Sequence, residues 1–224
     1  MMHERLFTSG RFEYGYACAV PPSGKVNHLM WNPGRKFGPP EPAVISWEAG
    51  SDVIDAFVDC SFGLLAQREV AEELVARFGG LALSPVEMVQ AKSVKRPKGK
   101  PRWPRVFLPY EGPELCELWP NYWAPFEMEP SSLEWRVDRD SVRVATIRRD
   151  PAFVVQMPED DNAQIRDLDP GEPSLFVRKA DLAGHAIFGL RGFPWSIFMT
   201  EDVIKFCVER GWRGVLLLRC GEII

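Results

Sequence analysis

Apolar residues along this chain switch between the period of a strand and the period of a helix. Phe12, Tyr14, Tyr16 and Cys18 occupy alternate positions, the spacing of a strand with one buried face. Apolar runs at 26–31 and 44–47 read as further short strands, with Pro21-Pro22-Ser23-Gly24 and Asn32-Pro33-Gly34 as turn chemistry around them. A clearer unit follows. Phe62-Gly63-Leu64-Leu65-Ala66 is a short apolar strand. At 68–78 the period changes: Val70, Leu74 and Phe78 lie four apart, with Ala71 and Val75 beside them, which predicts a helix. Gly79-Gly80 supplies the left-handed stop that helices favour. Leu81, Leu83, Val86 and Met88 then predict a strand. Apolar segments follow at 106–110 and 115–119. Two more strands, at 135–137 and 142–147, flank a turn at Asp138-Arg139-Asp140-Ser141.

The C-terminal stretch repeats this unit. Strands are predicted at 187–190 and 195–199. Thr200 stands as N-cap, with Glu201 and Asp202 where the helix dipole favours acids. Val203, Cys207 and Arg210 mark a helix that ends at Gly211, and 215–218 is the following strand. The two units align at a separation of 133 positions: Phe62 with Trp195, Leu64 with Ile197, Leu65 with Phe198, Glu69 with Asp202, Val70 with Val203 and Leu74 with Cys207. The expected fold is therefore α+β, with mixed or antiparallel sheets, few helices and pseudo-duplicated halves. The 224 residues suffice for one domain over 1–224 or for two similar halves, about 1–157 and about 174–224.

Composition changes this picture little. With 46% hydrophobic and 26% charged residues the chain is ordinary globular material. At this length folding buries roughly 70% of the unfolded surface, so the core needs no staples. The apolar run at 214–218 is far short of the roughly 20 residues of a membrane span. Met1-Met2-His3-Glu4-Arg5 leads into no apolar signal segment, so a cytoplasmic location is expected, without membrane partners. Cys18, Cys60, Cys116, Cys207 and Cys220 are scattered singly, which argues against a disulfide scaffold and against a zinc site.

Charge is uneven. Lys92, Lys95, Arg96, Lys98, Lys100, Arg102 and Arg105 crowd 92–105, broken by prolines and a glycine that no helix or central strand tolerates. This is an exposed basic loop, with Trp103 as a stacking partner if it met RNA. The net charge of −4 argues against nucleic acid as the main partner and permits a basic protein instead. Glu159, Asp160, Asp161, Asp167, Asp169 and Glu172 form an acidic, proline-broken connection that lacks calcium-loop spacing. Trp119, Tyr122, Trp123 and Phe126 make an aromatic cluster that reads either as core packing or as a hot spot for a protein partner.

The search for chemistry finds little. Arg35-Lys36-Phe37-Gly38 and Gly189-Leu190-Arg191-Gly192 lack the spacing of a phosphate-binding loop, and Ser23-Gly24-Lys25 lacks the glycine-rich loop before it. There is no Gly-x-Ser-x-Gly elbow. His28 and His185 have no metal-ligand spacing, although Asp181 is within one turn of His185. Glu72 and Glu73 face different ways on a helix. No catalytic site, no metal and no cofactor are expected. The enzyme alternative rests on carboxylates such as Glu111 or Glu117 beside the aromatic cluster.

Both units carry a short aromatic strand, an acid- or Thr-started helix, a glycine and a closing strand. In the second this stands as Phe188-x-x-x-x-Phe193-x-x-x-x-Phe198-Met199-Thr200-Glu201-Asp202-Val203 and Gly211-Trp212-x-Gly214. Residues 62–88 and 187–222 resemble bacterial immunity proteins of polymorphic toxin systems, the group with a myxobacterial-type immunity domain. Leu118-Trp119-Pro120-Asn121-Tyr122-Trp123 is similar to the middle of such proteins. Relatives often carry paired CxxC motifs after these tryptophans, whereas this chain has Val137-Asp138-Arg139-Asp140 there and no CxxC. The resemblance implies a protein that neutralises one cognate toxin, encoded by the neighbouring gene, by direct contact. The partner-binding residues expected on this reading are Glu159, Asp160 and Asp161 in the acidic connection and Trp119, Tyr122 and Trp123 in the aromatic cluster.

Overall fold

The computed structural model describes residues 4–9, 28–31, 42–49, 56–60, 63–90, 110, 112–127, 133–137, 143–147, 165–166, 175–212 and 217–224. The strand expected at 12–18, the apolar segment at 106–109, the basic segment 92–105 and the turn expected at 138–141 lie outside them.

In chain order the elements are β1 (Glu4–Ser9), β2 (His28–Trp31), β3 (Ala43–Ala49), β4 (Phe57–Cys60), β5 (Gly63–Gln67), α1 (Arg68–Phe78), β6 (Leu81–Gln90), β7 (Leu115–Pro120) and β8 (Trp123–Ala124). Then come β9 (Leu133–Val137), β10 (Arg143–Ile147), β11 (Ile165–Arg166), β12 (Leu175–Val177), a 3-10 turn at Lys179–Leu182, β13 (Ile187–Leu190), β14 (Phe193–Thr200), α2 (Glu201–Glu209) and β15 (Leu217–Ile223). The protein is α+β with few helices, as its patterning predicts. The helix expected at 68–78 has those bounds, and the one expected from Glu201 ends one residue before Arg210. The acidic connection is not loop throughout, since Ile165–Arg166 forms a short strand.

Two mixed sheets hold the chain. The first runs β2-β3-β6-β7-β5-β4, and the second runs β11-β15-β1-β14-β13-β8 with β12 also on β15. β9 and β10 pair antiparallel with one another. The units share one plan. β4–β5 and β13–β14 are antiparallel hairpins, each leading into a helix. The strand after the helix, β6 or β15, lies parallel to an earlier strand, β3 or β12. Between the hairpin and that strand runs one central strand, antiparallel to both neighbours: β7 in the first sheet and β1 in the second. The second unit thus takes its central strand from the front of the chain.

Helix ends follow local chemistry. α2 closes in a Schellman arrangement: Trp212 N donates to Cys207 O (3.1 Å) and Gly211 N to Val208 O (2.9 Å), with Gly211 at φ +66°. The Trp212 ring meets Phe206 at 5.5 Å, the apolar contact that accompanies this cap. At the other end Thr200 occupies the N-cap with an extended backbone, but its hydroxyl makes no capping bond. Instead the first turn is held by Arg5 of β1, whose Nη2 and Nε donate to Glu201 Oε1 (2.8 Å) and Oε2 (3.3 Å).

The helices bury corresponding faces, Val70, Ala71 and Leu74 on α1 and Val203, Ile204 and Cys207 on α2. These sit in a single core cluster with Leu64, Ala66, Cys116 and Leu118 from the first sheet and Phe7, Ile187, Ile197 and Met199 from the second. The helices also touch across the units: Phe78 meets Phe206 edge-on at 5.4 Å, and Arg210 pairs with Glu73. Each sheet has a further cluster on its other face. In the second unit it holds Leu6, Leu175, Phe188, Phe198 and Cys220, with the buried Thr8 on the same face, and it is smaller in the first (Ala43, Ile45, Leu65, Leu115).

Two consequences can be measured. Leu74→Ala should cost about 2–5 kcal/mol in urea unfolding, the range for a buried leucine that leaves a cavity. Val208→Ala, on the exposed face of α2, should stay within about 0.5 kcal/mol. The hydrogen bonds from Arg5 lower the Glu201 carboxyl from 4.5 to about 2. A depressed folded value means the stabilisation is present above pH 4.5 and is lost as pH falls from there towards 2. Arg5→Met should therefore destabilise the protein at neutral pH and shrink the loss of stability across that window, read from unfolding curves at stepped pH.

Candidate functional site

The aromatic cluster forms the joint between the two sheets. β7 belongs to the first sheet and ends at Pro120. Three residues later β8 joins the second, pairing parallel with Gly189 and Leu190 of β13. Backbone bonds fix this crossing: Asn121 N donates to Gly80 O (2.9 Å), Gly189 N to Tyr122 O (2.8 Å) and Arg191 N to Ala124 O (2.9 Å). The strap continues as Glu127 N donates to Phe176 O of β12 (2.8 Å), and the Glu127 carboxylate takes Arg178 Nε at 2.8 Å.

Each ring has its own place in that joint, and all four are half-buried. Trp119 and Trp123 face one another at 6.1 Å with a 59° tilt. Trp123 lies over Gly189, where a Cβ would run into its ring. Tyr122 stacks on His185 at 4.6 Å, nearly parallel, and its hydroxyl donates to the Asp181 backbone carbonyl (2.7 Å). His185 is thus held by Tyr122 and by its own N–H to Leu182 O (2.9 Å), and the Asp181 carboxylate makes no ion pair with it. Phe126 packs at 5.5 Å on Phe193 and joins the second sheet's outer core. The two readings of this cluster are therefore compatible. The rings brace the sheets while staying only partly buried.

Three of the six expected partner-binding residues, Trp119, Tyr122 and Trp123, come together here. Glu159, Asp160 and Asp161 lie outside the described residues, as does Glu111. Glu117 is fully buried on β7, in register with Leu65 and with Ser84, whose hydroxyl is also buried. Strand alternation turns Glu117 to the face away from the helices, the side of Leu115 rather than that of Cys116 and Leu118. Burial pushes the Cys207 thiol up to about 12 and raises Cys116 against the opposing charge of Arg68. Both thiols are protonated at neutral pH and so are poor nucleophiles. Among the described residues no group of three or more His, Cys, Asp or Glu side chains converges as metal ligands would. No described helix is long and apolar enough to cross a membrane.

The polar contacts that tie this joint and β1 in place were not legible in the sequence. Arg5 and Glu201 stand 196 positions apart, Arg178 and Glu127 stand 51 apart, and no motif links either pair. The signal that existed for β1 was its likeness to β7, Arg5-Leu6-Phe7-Thr8 beside Glu114-Leu115-Cys116-Glu117. Two comparisons with known proteins add nothing to these geometric findings: no family model matches the chain, and no curated protein matches it.

The packing of Trp123 on Gly189 predicts a specific coupling. Gly189→Ala should cost about 1–3 kcal/mol by overpacking against the indole. The same change made in a Trp123→Ala background should cost under about 1 kcal/mol, because the obstacle is gone. A double-mutant cycle in urea measures the difference, and additive effects would contradict this contact.

Proposed function

We propose that this chain is an immunity protein of a polymorphic toxin system, acting in the cytoplasm and neutralising one cognate toxin by direct binding. The observation that carries this reading is the doubled unit. The residues that resemble the immunity family form a strand, a helix, a glycine stop and a closing strand, as β14, α2, Gly211 and β15. The same succession stands in β5, α1, Gly79 and β6.

Trp119, Tyr122 and Trp123 suit the anchoring role in such an interface. They are large, only partly buried and already held in place, so little conformational entropy is lost when a partner covers them. Glu159, Asp160 and Asp161 supply the acidic rim, in a chain of net charge −4, for a basic toxin surface. Two other readings compete. Nucleic-acid binding through 92–105 runs against the net charge, and catalysis at Glu117 against the complete burial of that carboxylate.

The test is binding kinetics between the purified chain and the toxin encoded by the neighbouring gene, at two salt concentrations. Reversing Glu159, Asp160 and Asp161 to lysine should slow association and flatten its salt dependence, with little change in dissociation. Trp123→Ala should mainly hasten dissociation in protein that remains folded. Unchanged association after the triple reversal would remove the acidic stretch from the interface. Failure to bind any neighbouring gene product would count against the immunity reading itself.

A further inference from the structure

The central strands of the two units occupy equivalent slots, in identical register against the hairpin strand beside each. In the first, Gln67, Ala66 and Leu65 of β5 pair with Leu115, Cys116 and Glu117 of β7. In the second, Thr200, Met199 and Phe198 of β14, each 133 positions on, pair with Leu6, Phe7 and Thr8 of β1. Burial follows the same alternation. Cys116 and Phe7 face the shared helix core, and Leu115 and Leu6 face the outer clusters. A buried polar residue, Glu117 or Thr8, comes next in each. On the hairpin side, backbone pairing and alternation therefore give each strand little reason to prefer its own slot, although β1 shifts register against β15 between Leu6 and Phe7 and β7 shows no such shift against β6.

Charge does distinguish them. The first residue of α1, Arg68, bonds Glu114 just before β7 (Nη2 to Oε1, 2.5 Å) and lies 3.6 Å from Glu72 one turn on. The first residue of α2 is Glu201. It takes Arg5 at the matching position of β1 (2.8 Å) and lies 3.5 Å from Lys205, one turn on. The two networks match position for position, Glu114-Arg68-Glu72 against Arg5-Glu201-Lys205, and every sign is inverted. A strand in the wrong slot would set Arg5 against Arg68, or Glu114 against Glu201.

We propose that these opposed networks are an addressing device: they direct β1 to the slot beside α2 and β7 to the slot beside α1. This is specificity by mismatch, in which a like-charge contact penalises the wrong pairing more than the right contact stabilises the correct one. On this view β1 is the second unit's own central strand, carried at the opposite end of the chain. Its first residue, Glu4, lies in register with Ile223, so the end of β15 and the start of β1 are neighbours.

The test uses the full-length protein. Exchanging the strand charges alone, R5E with E114R, mismatches both slots and should raise the unfolding equilibrium constant about tenfold, given partly exposed pairs. Adding R68E and E201R restores opposite charges between strand and helix at both sites and should recover part of that loss, since Glu72 and Lys205 then each meet a like charge one turn away. An unchanged midpoint in the double variant would overturn the proposal, as would a quadruple variant no better than the double or unable to fold. A permuted chain that opens at Gly10 and carries residues 4–9 behind Ile224 through a short glycine linker provides a second measurement. It should unfold cooperatively with a midpoint near the parent's. If it fails to fold, β1 is not an element the second unit can take from its own end.

Discussion

Strand β1 fills the gap between β14 and β15, and that one insertion holds the second sheet together. Without it two rows of backbone donors and acceptors would face each other in the middle of a sheet with no partner, and each unpaired buried group costs about 1–3 kcal/mol. Its side chains are engaged as fully as its backbone. Leu6, Phe7 and Thr8 are all buried, Phe7 in the core shared with both helices and Leu6 in the cluster on the other face. The Thr8 hydroxyl donates to Ile197 O (3.0 Å), and Arg5 ties the strand to the start of α2. Six residues at the front of the chain therefore link two packing layers and a helix terminus that lie some 190 positions away in sequence.

The shared core explains why the two units behave as one body where they meet. Neither helix has a private pocket. The small and medium side chains of α1 and α2 let both helices settle into one cluster with the inner faces of both sheets. Contacts between Phe78 and Phe206 and between Glu73 and Arg210 then bring the helices together. The α1–β6 turn comes so close to β13 that a Cβ at Gly80 would collide with the Ile187 carbonyl oxygen. Gly80 also has φ +75°, a conformation that glycine adopts without the strain other residues would carry.

The aromatic strap is where architecture and proposed function meet. A segment that crosses from one sheet to the other within three residues must be stiff, and bulky rings seated on glycine and on one another supply that stiffness. The same stiffness suits a binding surface, because rings that are already positioned lose little freedom when a partner covers them. Core residue and interface anchor are thus not exclusive roles for Trp119, Tyr122 and Trp123.

Elements whose evidence is local were readable from the sequence. The helix at Arg68–Phe78, the one beginning at Glu201, the glycine stops and the strands beside them depend on periodicities of two and 3.6 residues and on positive φ at glycine. A linear chain displays these directly, and the doubled unit followed from them. What depends on distant partners was not readable. β1 has a single adjacent apolar pair between polar neighbours, so nothing local marks it as a central strand. Its membership of the second sheet is decided by the slot between β14 and β15, which come from the far end of the sequence. Likewise, the aromatic character of 119–126 was plain, but the seat of Trp123 on Gly189 and of Tyr122 on His185 comes from the crossing of β8 onto β13. Local sequence determined the kind of the elements with a clear period, because backbone propensity and side-chain period act over a few residues. Tertiary structure alone decided which elements became neighbours, because pairing and burial depend on groups that the chain order keeps far apart.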